Sequence, residues 1–167
     1  VLSRDQLCGK LVDWVEKYPL VSICNPFHPN DAEAWKRLNW AVGKRLQLVK
    51  TETQLLNSAG PASQEEELSF NWSLLELKNI VTVTNLKNQW FKREQNKQGT
   101  TLASDFEDNN INSITHLSIG LGVKQFQFNN FISGNEGLRI ANQINDLGPT
   151  EFPKDGYLHP RSMFPWQ

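Results

Sequence analysis

The chain has 167 residues, 17 basic against 18 acidic side chains, a formal charge of −1, and 38% hydrophobic and 21% charged residues. That length suits one domain with a full core, and the even charge supplies no chain-wide field to draw it to nucleic acid or anionic lipid. No apolar run approaches the ~20 residues of a membrane helix, so no membrane span is expected.

In chain order, residues 4–17 carry a helical stripe of Leu7, Leu11, Val12 and Val15. Tyr18-Pro19 ends it, because a residue before proline is pushed out of the helical region. Ile23 to Asn30 follows as an irregular link. A long helix is then expected over about 31–57, opened by Asn30 as N-cap with Glu33 three residues on. Trp35, Leu38, Val42, Leu46 and Val49 keep its spacing, and Ser58 to Pro61 stops it.

Residues 68–91 turn β-branched and aromatic and read as strands, roughly 68–77, 79–84 and 86–91. The segment 92–113 is polar and poor in core formers, which predicts a mobile loop. Residues 115–128 read as β again, Leu117, Ile119, Leu121 and Val123 alternating before Phe126 and Phe128 change phase. Ser133 and Glu136 open a last helix over about 134–147, closed by Gly148-Pro149. The Pro-rich tail 149–167 is expected to lie extended. The fold class expected is α+β, in a single domain over residues 1–167: N-terminal helices, a β-rich middle, a C-terminal helix and the tail.

Chemistry-bearing motifs are sparse. The strand Ser73–Val83 puts Glu76 and Lys78 on one face, two residues apart. The stretch LLELK resembles half the signature of PD-(D/E)xK nucleases, in which an acid holds a divalent cation and a lysine helps activate water. The resemblance implies Glu76 and Lys78 as the catalytic pair of a metal-dependent nuclease. It covers five residues, and only Glu65, Glu66 and Glu67 offer upstream acids. Against it stands an ordinary reading, a solvent-facing pair on a half-buried strand. Gln6 to Tyr18 is similar to the first helix of Hook-type calponin-homology domains, an all-helical family with no place for the β-rich half.

His28, His116 and His159 show no metal-ligand spacing, and Cys8 and Cys24 form no C-x-x-C pair. No bound metal or other cofactor is expected. Free thiols are expected, and with them an intracellular, soluble protein. No G-x-S-x-G or phosphate-binding loop is present.

Six tryptophans is a high count for this length. Aromatic and basic residues at Trp40, Trp90, Arg93, Tyr157, Arg161, Phe164 and Trp166 form the candidate binding set. The leading expectation is a non-catalytic protein–protein interaction or scaffold module within a larger protein or assembly. A nuclease using Glu76 and Lys78, and a nucleic-acid-binding module using basic and aromatic surface residues, are the alternatives. A protein partner is expected, with nucleic acid and a second copy of the chain as the other partner classes.

Overall fold

The computed structural model describes residues 2–51, 69–80, 82–104, 111–123 and 125–128, with isolated positions at 138, 142 and 146. The chain divides after Thr100 into two compact units, each taken by itself below.

The first unit opens with α1 (Arg4–Lys17). Ser3 caps it, accepting from the Gln6 N–H at 3.3 Å while the Gln6 side chain accepts from the Ser3 N–H at 2.9 Å. These bonds satisfy donors that the first helical turn leaves open. Cys8, Leu11 and Val15 form its buried stripe. After Pro19 the chain extends into β1 (Ser22–Cys24).

Next comes α2 (Ala32–Val42), capped by Asp31, whose carboxylate accepts from the Ala34 N–H at 3.2 Å. The expected long helix ends about fifteen positions early, at Val42 before the Gly43 cap, and Gln47–Thr51 form a strand instead, β2. All five residues of β2 are buried. A strand buried on both faces shows no in–out alternation, so Leu46 and Val49 continued the helical spacing by coincidence.

Asn71 fixes the turn between the two elements. Its side-chain amide donates to Gly43 O at 2.7 Å and Leu46 O at 3.0 Å, and its carbonyl accepts from the Leu48 N–H at 2.7 Å. It leads directly into β3 (Trp72–Glu76), a strand where one was expected. A single 3-10 turn, Leu77–Asn79, closes the strand.

The expected strand at 86–91 is helical. Thr82 caps α3 (Val83–Gln95) by accepting from the Asn85 N–H at 3.1 Å. The β-branched residues that suggested a strand cluster at its start, while Leu86 and Arg93, seven positions apart and so on one face, are its buried residues. Lys97 turns the chain at φ 56° into β4 (Gly99–Ser104), so part of the expected loop 92–113 is a fully buried strand. Gly99 bonds Asn71 O at 3.0 Å, and a Cβ there would lie 2.1 Å from the Trp72 ring. Only glycine permits that approach.

β1, β2 and β3 are parallel, with Ser22 beside Gln47, Cys24 beside Val49, Val49 beside Trp72 and Thr51 beside Leu74. Parallel neighbours need crossovers, and α2 is the one between β1 and β2. One face of this sheet packs on α1 and α2. Leu46 and Leu48 meet Leu11, Val15, Trp35, Leu38 and Phe70 there. Trp35 is edge-on to both Phe27 (6.4 Å) and Phe70 (6.5 Å), and its Nε1 donates to His28 O at 3.1 Å. Burying side chains of this size stabilises by about 1.5–3 kcal/mol each. Arg4 to Asp31 (2.9 Å) and Arg37 to Asp5 (2.5 Å) staple the outer surfaces of the two helices.

In the second unit, β4 runs parallel to β5 (Gln125–Phe128), Thr101 beside Gln125 and Ser104 beside Phe128. The helix α4 (Ile111–Leu121) joins them. Much of the β stretch expected at 115–128 is therefore helix. Among its described side chains Thr115 and Ser118 are buried and three apart, a helical spacing, and a short apolar run does not reveal its period.

Strand and helix thus alternate with parallel pairing, an α/β arrangement, and the α+β expectation is corrected. The expected helix 134–147 and the tail lie largely or wholly outside the described residues. No helix among the described residues is long and apolar enough to cross a membrane.

Candidate functional site

Parallel sheets place ligand sites at the carboxyl ends of their strands, where the loops converge. In the first unit that edge is formed by Cys24, Thr51 and Glu76, the last residues of β1, β2 and β3. The strand register decides which face each side chain takes. Neighbours in a parallel pair share a face, and alternate residues along a strand share one too. Cys24, Val49 and Trp72 are therefore on one face, with Thr51, Leu74 and Glu76. This is the face away from α1 and α2.

Lys50 takes the opposite face. It is buried among the helices, its Nζ donating to Pro29 O at 3.1 Å and lying 5.4 Å from the Trp35 ring and 5.7 Å from Phe70. Its cation is held by a carbonyl and two aromatic faces, well away from the edge's chemistry.

Asn25 locks the first two strand ends together. Its backbone sits at φ 49°, a conformation asparagine tolerates better than most residues. Its carbonyl accepts from the Thr51 N–H at 3.1 Å, and its amide donates to Thr51 Oγ1 at 3.3 Å. Glu76 is half-buried at the end of β3. Its carboxylate accepts from Asn79 Nδ2 at 2.8 Å and lies 3.5 Å from Lys78 Nζ. Cys24 is exposed at the strand end, yet the protein around it desolvates its thiol in part, and this, and secondarily the negative charge of Glu76, push the thiol above its ordinary range. The edge thus offers a carboxylate, a cation beside it, a protonated thiol and a fixed amide–hydroxyl pair. Proton transfer and hydrogen bonding to a small polar molecule are what such groups can do.

The residues singled out from sequence fall in different places. Glu76 ends β3 whereas Lys78 lies in the 3-10 turn beyond it, so they are not two positions on one strand face. Trp40 is 90% exposed on α2. Trp90 is half-buried on α3 with its Nε1 buried and unbonded among the described residues. Arg93 is buried, its guanidinium 5.6 Å from the Phe70 ring. Tyr157, Arg161, Phe164 and Trp166 lie outside the described residues. Sequence reasoning missed Cys24, Asn25 and Thr51. Reading SIC and QLVKT as short buried strands would have placed them at strand ends.

The family described as "Enolase, C-terminal TIM barrel domain" matches residues 1–147. An enolase of Bdellovibrio bacteriovorus is 26% identical over 153 residues, which cover 88% of this chain and 36% of the relative. The chain therefore spans about a third of that curated relative's length. The parallel strands and their helices agree with a portion of such a barrel. These matches overturn the reading as a non-catalytic interaction or scaffold module, along with the nuclease and nucleic-acid alternatives and the likeness to calponin-homology domains.

Proposed function

The chain belongs to the enolase family, in its C-terminal TIM-barrel domain, and from that premise we propose that the edge at Cys24, Thr51 and Glu76 is the small-molecule site of an enzyme that moves a proton on an organic acid. Barrel enzymes carry their chemistry at the carboxyl ends of the strands, on the barrel-facing side. The observation that carries the reading is the seat of Glu76, half-buried at the end of β3 on the face away from the helices.

In this reading Glu76 exchanges a proton with a carbon next to the substrate's carboxylate. Lys78, 3.5 Å away, offers positive charge to the substrate or to the transient anion. The Asn25–Thr51 clasp holds the β1 and β2 ends at fixed separation, so the approach to Glu76 keeps one geometry. The buried helix-facing layer provides the rigid backing such positioning needs. The free thiols of Cys8 and Cys24 support an intracellular setting for the enzyme.

The test is deuterium exchange at the carbon next to the carboxylate of small hydroxy acids, followed by NMR with the full-length protein in heavy water. Exchange that falls by about 10²–10⁴-fold in Glu76→Gln is expected, the usual worth of a positioned general base. Exchange that persists undiminished in the variant, or is absent in the native protein, sinks the reading.

A further inference from the structure

We propose that the chemistry at this strand-end site proceeds without a divalent cation. The inference rests on the placement of the site given above. Enolase-superfamily sites in general pair a lysine or histidine base with one or two Mg²⁺ ions that stabilise the anionic intermediate. Mg²⁺ asks for near-octahedral oxygen coordination, usually with one or two carboxylates at its core.

The donors at the ends of β1, β2 and β3 do not fit that demand. Among the described residues there Glu76 contributes the one carboxylate, and both of its oxygens have partners, Asn79 at 2.8 Å on one and Lys78 at 3.5 Å on the other. The Lys78 ammonium balances the Glu76 charge, so a dication arriving there would give up its water without meeting net negative charge. Cys24 presents a soft sulfur, which suits zinc or copper and not Mg²⁺. The Asn25 carbonyl oxygen is occupied by the Thr51 N–H, and the Thr51 hydroxyl by the Asn25 amide. Among the described residues no three of His, Cys, Asp and Glu come together in a group able to hold a metal. Where the family's general chemistry places cationic metal, this edge places a lysine–carboxylate pair.

Two measurements on the full-length protein decide it. The first is Mn²⁺ titration followed by electron paramagnetic resonance, with and without a small hydroxy acid present. All added Mn²⁺ is expected to remain in the free signal up to the millimolar range. The second is the melting temperature in 5 mM Mg²⁺ against EDTA. A site with a dissociation constant a hundredfold below the Mg²⁺ concentration would raise the midpoint by several degrees, and a shift under about 1 °C is expected. One Mn²⁺ bound per chain at micromolar concentration overturns the proposal, whether or not Glu76→Gln removes it. A clear Mg²⁺-dependent rise in melting temperature does the same. Failure of the proton-exchange test above would strike the functional reading and leave these two readouts unchanged.

Discussion

The two faces of β2 follow different rules. Leu46, Leu48 and Lys50 face the helices, where Trp35, Leu38 and Phe70 fill space and burial sets the energy. Val49 and Thr51 face the other way, and at the strand end small polar groups are fixed by individual hydrogen bonds. The first face tolerates little change in volume. The second also buries Val49, Trp72 and Leu74, but at its strand ends the polar groups are held in defined hydrogen bonds. Burial stabilises both sides of the sheet, but only the second carries the candidate chemistry at its strand ends.

The largest effect should come from the helix-facing side. Trp35→Ala removes a fully buried ring with two edge-on aromatic partners, and should cost about 3–5 kcal/mol in a urea-unfolding comparison. A cost below that of an exposed residue would erase the contrast between the faces. Next is Gly99→Ala, which drives a methyl into the Trp72 ring and should cost about 1–3 kcal/mol by the same measurement. It probes packing on the chemical face, so an outcome matching Trp35→Ala would show that this face carries as much stability as the other.

Smaller still is the surface. Arg37→Ala breaks an exposed pair with Asp5 and should change stability by under about 1 kcal/mol.

The last expected effect is one of rate and pH at the strand edge. Burial, then Glu76, raises the Cys24 thiol above its ordinary value of 9.0, so iodoacetamide should label it slowly at neutral pH. Glu76→Gln removes one of the two causes and should speed labelling at fixed pH, with the other cysteine, Cys8, replaced by Ser to isolate the signal. Unchanged or slower labelling would show that Glu76 exerts no charge on the thiol. The sign for stability follows from the same shift. A thiol whose folded value lies above its unfolded one contributes fully below pH 9 and loses that contribution as pH rises through the folded value. Unfolding should therefore become easier on the alkaline side.

The helix-facing side was largely legible in the amino-acid sequence, because burial leaves a period. The stripe of α1 is the one the spacing of Leu11 and Val15 predicts, and Trp35, Leu38 and Val42 are buried at the positions that spacing implies. What the period could not show was where α2 stops. Leu46 and Val49 fall in helical phase, but Leu46 lies in the turn after α2 and Val49 in a strand buried on both faces. The same ambiguity hid α3 behind its β-branched first turn, and α4 behind Leu117, Ile119 and Leu121. Glu76 was visible as an ionisable residue among apolar ones. Its companions were not, since Cys24, Asn25 and Thr51 acquire meaning only once β1 and β2 stand side by side.

Asn71 bears on the order in which the chain assembles. The turn from α2 to β2 leaves the Gly43 and Leu46 carbonyls and the Leu48 N–H for a side chain that arrives 23 to 28 residues later. A nascent chain that has not reached residue 71 must keep those groups wet. The helical hairpin of α1 and α2 can collapse early on its own contacts, but β2 cannot take a settled register until β3 docks. Parallel strand pairing over such a separation is slow compared with helix formation. Hydrogen-exchange protection during refolding should therefore reach Leu38 and Val42 before Leu48, with β2 and β3 gaining it together.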